Sequence, residues 1–291
     1  LITPFLINLL RGLNIDLIHI NDGKTRNTWT LAAKLLKLKI IIHQRTIYDN
    51  ARISYVLSFL AYRIISISSF VKESMPTEFH NKTITISNPF EIKKNVFKKK
   101  SKINLCSRLA ITPENIIISV IGTVNKQKRF LQAFKTFKIL KNKGINVILI
   151  FVGKINSHNR KILEYEVKKN NHQESIRILG FKENVEEFIC GSDFILAPAI
   201  NEGFGRVLIE AMILSTPVIA SNHGGHKEII INKFNGFLSK KENPKDMARI
   251  VEKLINNPKL YWKIINNARE FALKTYNQKK HIRKILEIYK L

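Results

Sequence analysis

The chain has 291 residues, enough for two domains of ordinary size, and 45% of them are hydrophobic, as in globular proteins that dissolve in water. Its longest apolar runs are strand-sized, no secretory signal is visible, and two cysteines are too few for a disulfide framework or a metal site. The net charge of +27 comes without a zinc-finger, basic-zipper or ribonucleoprotein pattern, which disfavours a nucleic acid partner. Two explanations of the charge remain open, a composition typical of AT-rich coding DNA and an anionic membrane surface as partner. These features favour a cytoplasmic protein, either free or peripheral at the inner face of the cytoplasmic membrane.

Four strand-like runs alternate with helical stretches in the first hundred residues. The runs are IDLIHIND from residue 15, KIIIHQR from 39, RIISIS from 63 and KTITIS from 82. Helices are predicted for TWTLAAKLLKL and ISYVLSFLAY. The lysine-rich segment at 93–102 is interpreted as a solvated linker. We therefore predict a first domain over residues 1–100.

From residue 115 onward, continuous apolar runs alternate with amphipathic stretches. The predicted strands lie at 116–123, 146–153, 175–180, 193–199 and 217–221. Apolar strands separated by helices indicate a parallel sheet covered on both faces. The predicted fold class is thus α/β, with two doubly wound Rossmann-like domains facing a cleft. The second domain is predicted over 101–270, with a final helix at 271–291 that returns to the first domain.

The segment NEGFGRVLIE places one glutamate in a strand-to-helix loop and a second on the helix that follows. Gly203 and Gly205 let a ligand approach the backbone closely, and the first amides of the helix, with its dipole, favour a phosphate. Glu202 could accept hydrogen bonds from a polyhydroxylated group, and Glu210 from a ribose diol. A nucleoside diphosphate sugar supplies diol, phosphates and hydroxyls in that order.

A purely structural interpretation of the same two acids stays open. Glu202 would then be a loop acid near a helix N-terminus, and Glu210 would pair with Arg206 one helical turn away.

The wider motif resembles that of a known enzyme family. EGFGRVLIE, followed by TPVIASNHGGHKEII and NGFL, is similar to the donor-binding signature of retaining GT-B glycosyltransferases of family 4, in which seven residues separate two glutamates. Upstream, VIGTVNKQKRF is similar to the family's strand, glycine and lysine loop. The resemblance implies transfer of a sugar from a nucleotide-sugar donor to an acceptor hydroxyl with retention of configuration. The implied acceptors are glycans or lipid-linked molecules of cell-envelope synthesis.

The resemblance also implies the site residues. Those implied for the donor are Gly122, Thr123, Lys128, Glu202, Gly203, Phe204, Gly205, Arg206, Val207 and Glu210. The catalytic candidates are Glu202, Lys128 and His43, which ends a strand where the family usually places a histidine facing the donor sugar. Thr123 stands where the family often has an arginine, so the grip on the diphosphate would depend on Lys128 and helix amides.

Three further residues are weaker candidates for the site. Glu228 resembles a glutamate that supports the family's site. Arg45 and Tyr48 would face an acceptor, or they are simply a surface arginine and a packed tyrosine.

No metal or other cofactor is expected. Transferases that hold a diphosphate through a cation commonly use two aspartates with one residue between them, and no pair in this chain has that spacing. The aspartates are Asp16, Asp22, Asp49, Asp193 and Asp246. The departing charge would instead be stabilised by Lys128, Arg206 and helix amides.

Other interpretations remain open at this point. The same architecture carries nucleotide-sugar epimerases and phosphorylases, and an inactive or binding-only remnant is a further alternative. Relatives open with a strand, a glycine-rich loop and a long helix, so about 70 residues would stand ahead of the segment at residue 15, given ordinary element lengths. We therefore expect an incomplete N-terminal domain with uncovered apolar faces and weak transfer.

Overall fold

The computed structural model describes residues 2–49, 51–91 and 97–290, and they form two compact units. Unit 1 contains the residues up to Pro89 together with those from Tyr276 onward, and unit 2 is Phe90–Thr275. The sequence predicted domain boundaries after residues 100 and 270. The structure divides the chain after residues 89 and 275, and the last helix belongs to unit 1.

Unit 1 is a four-stranded parallel sheet in the order β1-β2-β3-β4. Its strands are β1 (Leu17–Ile20), β2 (Lys39–Gln44), β3 (Arg63–Ser66) and β4 (Thr83–Thr85). Its helices are α1 (Ile2–Gly12), α2 (Gly23–Leu35), α3 (Arg52–Phe59), α4 (Ser69–Glu73) and a 3-10 helix, Thr77–Lys82. Helix α2 begins before the predicted residue 28 because the Asp22 carboxylate accepts hydrogen bonds from the amides of Lys24 and Thr25.

Both faces of this sheet are covered by apolar side chains. On one face Ile40, Ile42 and Ile64 pack in a cluster with residues of α1 and α2. On the other face Ile41 and Ile65 pack with residues of the C-terminal helix, α13 (Gln278–Lys290). The strands therefore appear in the sequence as unbroken apolar runs rather than alternating ones.

Unit 2 is a six-stranded parallel sheet in the order β10-β9-β8-β5-β6-β7. Its strands are β5 (Ile116–Ile121), β6 (Val147–Val152), β7 (Ile176–Gly180), β8 (Phe194–Ala197), β9 (Val218–Ser221) and β10 (Phe237–Ser239). Strand β10 was not predicted. Read from β7 and numbered within this unit, the order is 3-2-1-4-5-6, which is the Rossmann order.

Helices cover both faces of the larger sheet. They are α5 (Lys98–Leu109), α6 (Phe130–Asn142), α7 (Ser157–Lys169), α8 (Glu186–Gly191), α9 (Arg206–Ile213), α10 (His226–Ile229), α11 (Pro244–Ile255) and α12 (Pro258–Thr275), with a 3-10 turn, Gln173–Ser175. Residues of α6 and α11 pack on one face, and residues of α5 and α8 pack on the other. Among the helices of the described ranges, none is both long enough and apolar enough to cross a bilayer.

The described end of the lysine-rich segment, residues 97–102, leads into helix α5 and is not a linker as the sequence predicted. Lys98 Nζ donates to the carbonyls of Cys190 and Ser192 at 3.2 and 2.6 Å and to Thr216 Oγ1 at 3.0 Å. Lys102 forms an ion pair with Asp193 at 2.9 Å. Burial lowers the pKa of Lys98 to about 8. The segment starts α5 and binds the end of α8, whereas residues 93–96 lie outside the described part of the chain.

Candidate active site

The site is built where the strand order of unit 2 reverses. After β5 the chain adds β6 and β7 on one side, and it then crosses to place β8 on the other side of β5. The loops that leave the carboxyl ends of β5 and β8 therefore diverge, and ligands bind in the crevice at such a point. Lys128 lies on the loop after β5, and Glu202 lies on the loop after β8.

These two predicted residues contact each other directly. Lys128 Nζ and Glu202 Oε2 form an ion pair, in which the two side chains are 31% and 19% exposed. The amide of Lys128 donates to Asn125 Oδ1 at 2.8 Å, which fixes the loop on which the lysine lies. A lysine and a glutamate are thus held side by side at the mouth of the crevice. A ligand that uses both must separate them.

Glycines let the backbones of the loops after β5 and β6 approach closely. The amide of Gly122 donates to the Val152 carbonyl at 2.8 Å. A Cβ at Gly153 would overlap the carbonyl of Gly122, and Gly153 has a φ of +147°. Gly122 itself has a φ of +124°, which favours glycine. Only the first of these glycines was singled out from the sequence.

The turn before α9 is held by the turn that follows β9. Gly205 precedes α9 with a φ of +101°, and Phe204 beside it is buried. The Gly225 amide donates to the Glu202 carbonyl at 2.8 Å, and a Cβ at Gly225 would lie 2.7 Å from the Gly203 carbonyl oxygen. The Leu208 amide donates to the Gly205 carbonyl at 3.0 Å, whereas the amides of Arg206 and Val207 open the helix and are suited to an anion.

Arg206 and Glu210 make the contact that the structural interpretation predicted. Arg206 Nη2 lies 3.3 Å from Glu210 Oε1, and its guanidinium lies 4.8 Å from the centroid of the Phe90 ring. Phe90 in turn stacks on Phe204. Burial raises the pKa of Glu210, and the charge of Arg206 partly opposes that effect. The Glu210 carboxylate is therefore half-buried beside an exposed arginine.

Two other predicted donor-site residues, Thr123 and Val207, differ in how much of the side chain is exposed to solvent. Thr123 is exposed directly after Gly122, and Val207 is half-buried in the first turn of α9.

His226 was not singled out from the sequence, although it follows the glycine pair that was quoted. It is 1% exposed, and its Nδ1 lies 3.3 Å from both the hydroxyl and the carbonyl oxygen of Ser221. The Ser221 hydroxyl donates to the Ala199 carbonyl, so it offers His226 a lone pair, and Nδ1 carries the hydrogen. A Cβ at Gly205 would lie 3.0 Å from the ring of His226.

The charge state of His226 depends on the neighbouring ion pair. Burial lowers its pKa to about 4, while Glu202 opposes this shift and Lys128 adds to it. The imidazole is therefore neutral near pH 7. Its ring lies next to Gly205, in the turn that carries Glu202.

His43 belongs to unit 1, so the structure describes it with other neighbours. It lies on β2, is 2% exposed, and stacks on His19 with 5.5 Å between the ring centroids. Burial lowers its pKa to about 3, and the charge of Arg45 adds to the effect. Neither ring nitrogen has a hydrogen-bond partner among the described residues.

The remaining candidates are more ordinary. Arg45 donates to the side-chain oxygens of Asn88 and Asn21 at 3.0 and 3.1 Å. Tyr48 is buried and donates to Ser58 Oγ at 3.2 Å, so it is the packed tyrosine of the alternative interpretation. Glu228 is exposed on α10.

Within the described ranges 2–49, 51–91 and 97–290, there is no group of three or more His, Cys, Asp or Glu side chains that could hold a metal ion. Independence of a metal remains a prediction.

Two parallel α/β units, one with the Rossmann strand order, define the GT-B class of glycosyltransferase folds. The family model of Glycosyl transferases group 1 matches residues 102–271, more than half of the chain. The chain belongs to this family and is a glycosyltransferase.

Individual relatives agree with this assignment. The chain is 28% identical to an uncharacterised glycosyltransferase of Methanocaldococcus jannaschii over 97% of this chain and 77% of that protein. It is 31% identical to the capsular polysaccharide biosynthesis glycosyltransferase CapM of Staphylococcus aureus over 54% of this chain and 41% of that protein. The crystal structure of Anabaena HepE in complex with UDP and glucose superposes with a TM-score of 0.89 at 20% identity, covering 99% of this chain and 81% of that one.

Proposed function

We propose that this glycosyltransferase takes a sugar from a nucleotide-sugar donor and transfers it to a hydroxyl of a glycan or a lipid-linked acceptor. We further propose that it retains the anomeric configuration and uses no metal ion. The observation that carries the proposal is the Lys128–Glu202 pair beside the turn before α9, at the reversal point of a Rossmann sheet.

Each part of such a donor has a matching group in unit 2. The diphosphate is negatively charged and fits Lys128 and the first amides of α9. The transferred sugar carries hydroxyls that donate to Glu202, and a ribose diol donates to Glu210. The HepE complex with UDP and glucose supports this assignment by fold.

The proposed reaction requires stabilisation of the leaving diphosphate. As the bond from the sugar to the phosphate breaks, the new charge is stabilised by Lys128 and the helix amides, a contribution of about 3 kcal/mol per donor. The acceptor oxygen attacks from the side that the phosphate leaves, and its proton passes to a phosphate oxygen. His43 is the third residue that we assign to the reaction.

The similarity to CapM supports a role in cell-envelope or capsular glycan synthesis. An enzyme of such a route would work in the cytoplasm or at the inner face of the cytoplasmic membrane, where nucleotide sugars are available.

The proposal is tested with a panel of nucleotide sugars, measuring both thermal stabilisation and the products. A true donor at 100 times its dissociation constant stabilises the fold by about 2.7 kcal/mol. A glycosylated acceptor, or free sugar released by slow hydrolysis, shows transfer chemistry. An isomerised donor would indicate an epimerase, and stabilisation without turnover would indicate a binding-only protein.

Glu202→Gln tests whether Glu202 binds the transferred sugar. We expect transfer to fall by about two orders of magnitude, because a charge-assisted hydrogen bond to the sugar is lost. The exposed Glu174 provides the matched control, since it precedes β7 at the opposite, amino edge of the sheet and Glu174→Gln changes the same charge there. Full turnover by Glu202→Gln would refute the assignment.

Saturating chelator should leave activity within about twofold, since the proposed charge stabilisation comes from protein groups alone.

A further inference from the structure

Phe90 is the residue at which the chain enters unit 2, and it packs against the turn before α9. It is 5% exposed although it belongs to no helix or strand. Its ring stacks on the ring of Phe204, with 6.5 Å between the centroids and 25° between the planes. The guanidinium of Arg206 lies over the same ring, 4.8 Å from its centroid. Phe90 therefore contacts both the turn that carries Glu202 and the first residue of α9.

Arg206 occupies a position that its own helix disfavours. It is the first residue of α9, where the helix dipole is positive. It also precedes Glu210 by four residues, which is the weaker order for an ion pair of this spacing. Its side chain is 59% exposed, so the contact with Glu210 at 3.3 Å is weak by itself. The Phe90 ring supplies a second contact that holds the guanidinium, since a cation is attracted to the face of an aromatic ring.

The two oxygens of the Glu210 carboxylate differ in their partners. Oε1 accepts from Arg206, whereas Oε2 has no hydrogen-bond partner within the described part of the chain. The side chain is 27% exposed, so a ligand can reach the carboxylate. A ribose diol has two hydroxyls, and the orientation of the carboxylate decides whether both can donate to it.

We propose that Phe90 is a positioning residue for the nucleotide of the donor. Its ring holds Arg206 beside Glu210, and Arg206 in turn orients the Glu210 carboxylate toward the ribose diol. This inference rests on the proposed function for the ribose contact of Glu210. It adds a residue from outside the donor motif, at the start of unit 2, that acts on this contact through Arg206.

The same arrangement affects the charge of Glu210. Burial raises the pKa of Glu210, Arg206 lowers it, and Glu186 on α8 raises it further. The other helices packed against α9 contribute His226 from α10, which is neutral near pH 7, and Arg269 from α12, which donates to the last residue of α9. A diol donates most strongly to the ionised carboxylate, so recognition of the ribose is complete above the pKa of Glu210 and weakens as the pH falls through it. Loss of the contact with Arg206 moves that weakening to higher pH.

The test compares ribonucleoside diphosphates with their 2′-deoxy counterparts, using UDP, ADP, GDP and CDP. Calorimetry gives both affinities at several pH values, and the readout is their ratio. The diphosphate titrates alike in both ligands, so its effect cancels from the ratio. The folded fraction of a variant cancels as well, because the unfolded chain binds neither ligand. A merely structural role of Phe90 would weaken both ligands equally and leave the ratio unchanged.

Phe90→Leu removes the ring and keeps an apolar side chain. We expect the preference for the ribose form to fall by about three- to tenfold at neutral pH, which corresponds to the strength of a cation–π contact, and to fall further as the pH is lowered. Phe90→Met is a second variant that fills the space with a flexible apolar chain, and it should behave in the same way.

Phe79→Leu is the matched control. Phe79 lies on the 3-10 helix of unit 1, is 1% exposed, and has the ammonium of Lys82 at 5.2 Å from its ring centroid. The substitution therefore removes a buried ring with a cation over it, as at Phe90, but in the other unit. The ratio should stay within about twofold of that of the unchanged chain.

Arg206→Gln tests whether Phe90 acts through Arg206. This variant should lose the ribose preference at least as much as Phe90→Leu does, and adding Phe90→Leu to it should cause no further loss, because the two residues act in series. Full additivity of the two losses would overturn the inference. An unchanged ribose preference in both Phe90 variants, or the same loss in Phe79→Leu, would also overturn it.

The outcomes separate this inference from the proposed donor site. If the unchanged chain binds no nucleoside diphosphate, or binds the ribose and 2′-deoxy forms equally, the assigned contact of Glu210 is wrong and the inference is overturned with it. If the unchanged chain prefers ribose and the Phe90 variants keep that preference, the donor site stands and the inference alone is overturned.

Discussion

At the scale of single residues, Lys128 is the group on which the proposed donor binding depends most. Its ammonium group forms an ion pair with Glu202, and its amide donates a hydrogen bond to Asn125. The position is thus fixed before a ligand arrives, although the pair must open for the diphosphate to bind. Part of the binding energy is therefore used to separate two opposite charges.

Lys128→Ala should weaken the binding of nucleoside diphosphates by about 10- to 100-fold, because a charge-assisted contact of roughly 1.5 to 3 kcal/mol is lost. Lys126 lies two residues earlier on the same loop and is exposed, so Lys126→Ala is the matched control and should stay within about twofold. Calorimetric titration with nucleoside diphosphates of several bases measures both. Equal losses in the two variants would show that only the general positive charge of the loop matters.

His226 links stability to pH. Its pKa is about 4 in the folded chain, against 6.5 for an unperturbed histidine, so the unfolded state binds more protons between these values. The stability that comes from the neutral imidazole is complete above about pH 6.5 and is lost as the pH falls toward 4. The slope is about 1.4 kcal/mol per pH unit for this one group.

His226→Gln should therefore flatten the dependence of the unfolding free energy of unit 2 on pH between about 6 and 5, relative to the unchanged chain. Denaturant unfolding at these pH values, followed by a probe in unit 2, measures the difference. His158 is exposed on α7, and His158→Gln should leave the slope as it is. An unchanged slope in His226→Gln would mean that the ring is already charged in the folded state.

At the scale of elements, the site depends on two turns that are packed against each other. The turn after β8 carries Glu202, and the turn after β9 supplies Gly225, whose amide holds the Glu202 carbonyl. Neither turn belongs to a helix or a strand, but both follow neighbouring strands of the same sheet. The sheet therefore sets their spacing, and small residues allow the contact.

Gly225→Ala should weaken donor binding without removing any group that contacts the donor. Its Cβ would lie 2.7 and 2.8 Å from the Gly203 oxygen and the Phe204 Cα, both of which are backbone atoms, so the turn with Glu202 must move. We expect a loss of about 1 to 3 kcal/mol in stability as well. Gly12→Ala has open space around its Cβ and should be neutral or slightly stabilising in α1. Unchanged nucleotide affinity in Gly225→Ala would show that this contact does not position the site.

At the scale of the whole molecule, a large positive charge is combined with exposed apolar side chains that are concentrated on unit 1. The net charge is +27, and many of the large exposed apolar side chains lie on the helices of unit 1. Among them are Phe5 on α1, Leu35 on α2 and Phe59 on α3, which are 67%, 60% and 66% exposed. Basic and apolar groups together are typical of a surface that meets anionic lipid.

We therefore expect the protein to sediment with anionic vesicles and not with neutral ones. Each basic residue near the surface contributes about 1 kcal/mol, and salt should release the protein because the attraction is screened. Replacing Phe59 and Leu35 with Ser should weaken the binding, whereas replacing the exposed Tyr165 of unit 2 with Ser should not. Equal sedimentation with neutral and anionic vesicles would contradict this prediction. AT-rich coding DNA would then remain as the explanation of the positive charge.

The sequence by itself determined the local features of this protein. Apolar runs and helical spacing gave the α/β class and nine of the strands, since both depend on residues that are close in the chain. The loop position of Glu202 and the helix position of Glu210 followed from the same pattern, and the motif around them identified the glycosyltransferase family.

Only the tertiary structure decided which of these elements lie side by side. The crossing from β7 to β8 brings Lys128 to Glu202, which are 74 residues apart. The packing of α5 on α8 makes Lys98, which the sequence assigned to a linker, a half-buried donor to the Ser192 carbonyl, and the return of α13 packs Ile288 against the sheet of unit 1. These contacts join residues that are distant in the chain. Whether such residues are buried and paired depends on how whole helices and strands pack, and the local spacing of residues does not determine that packing.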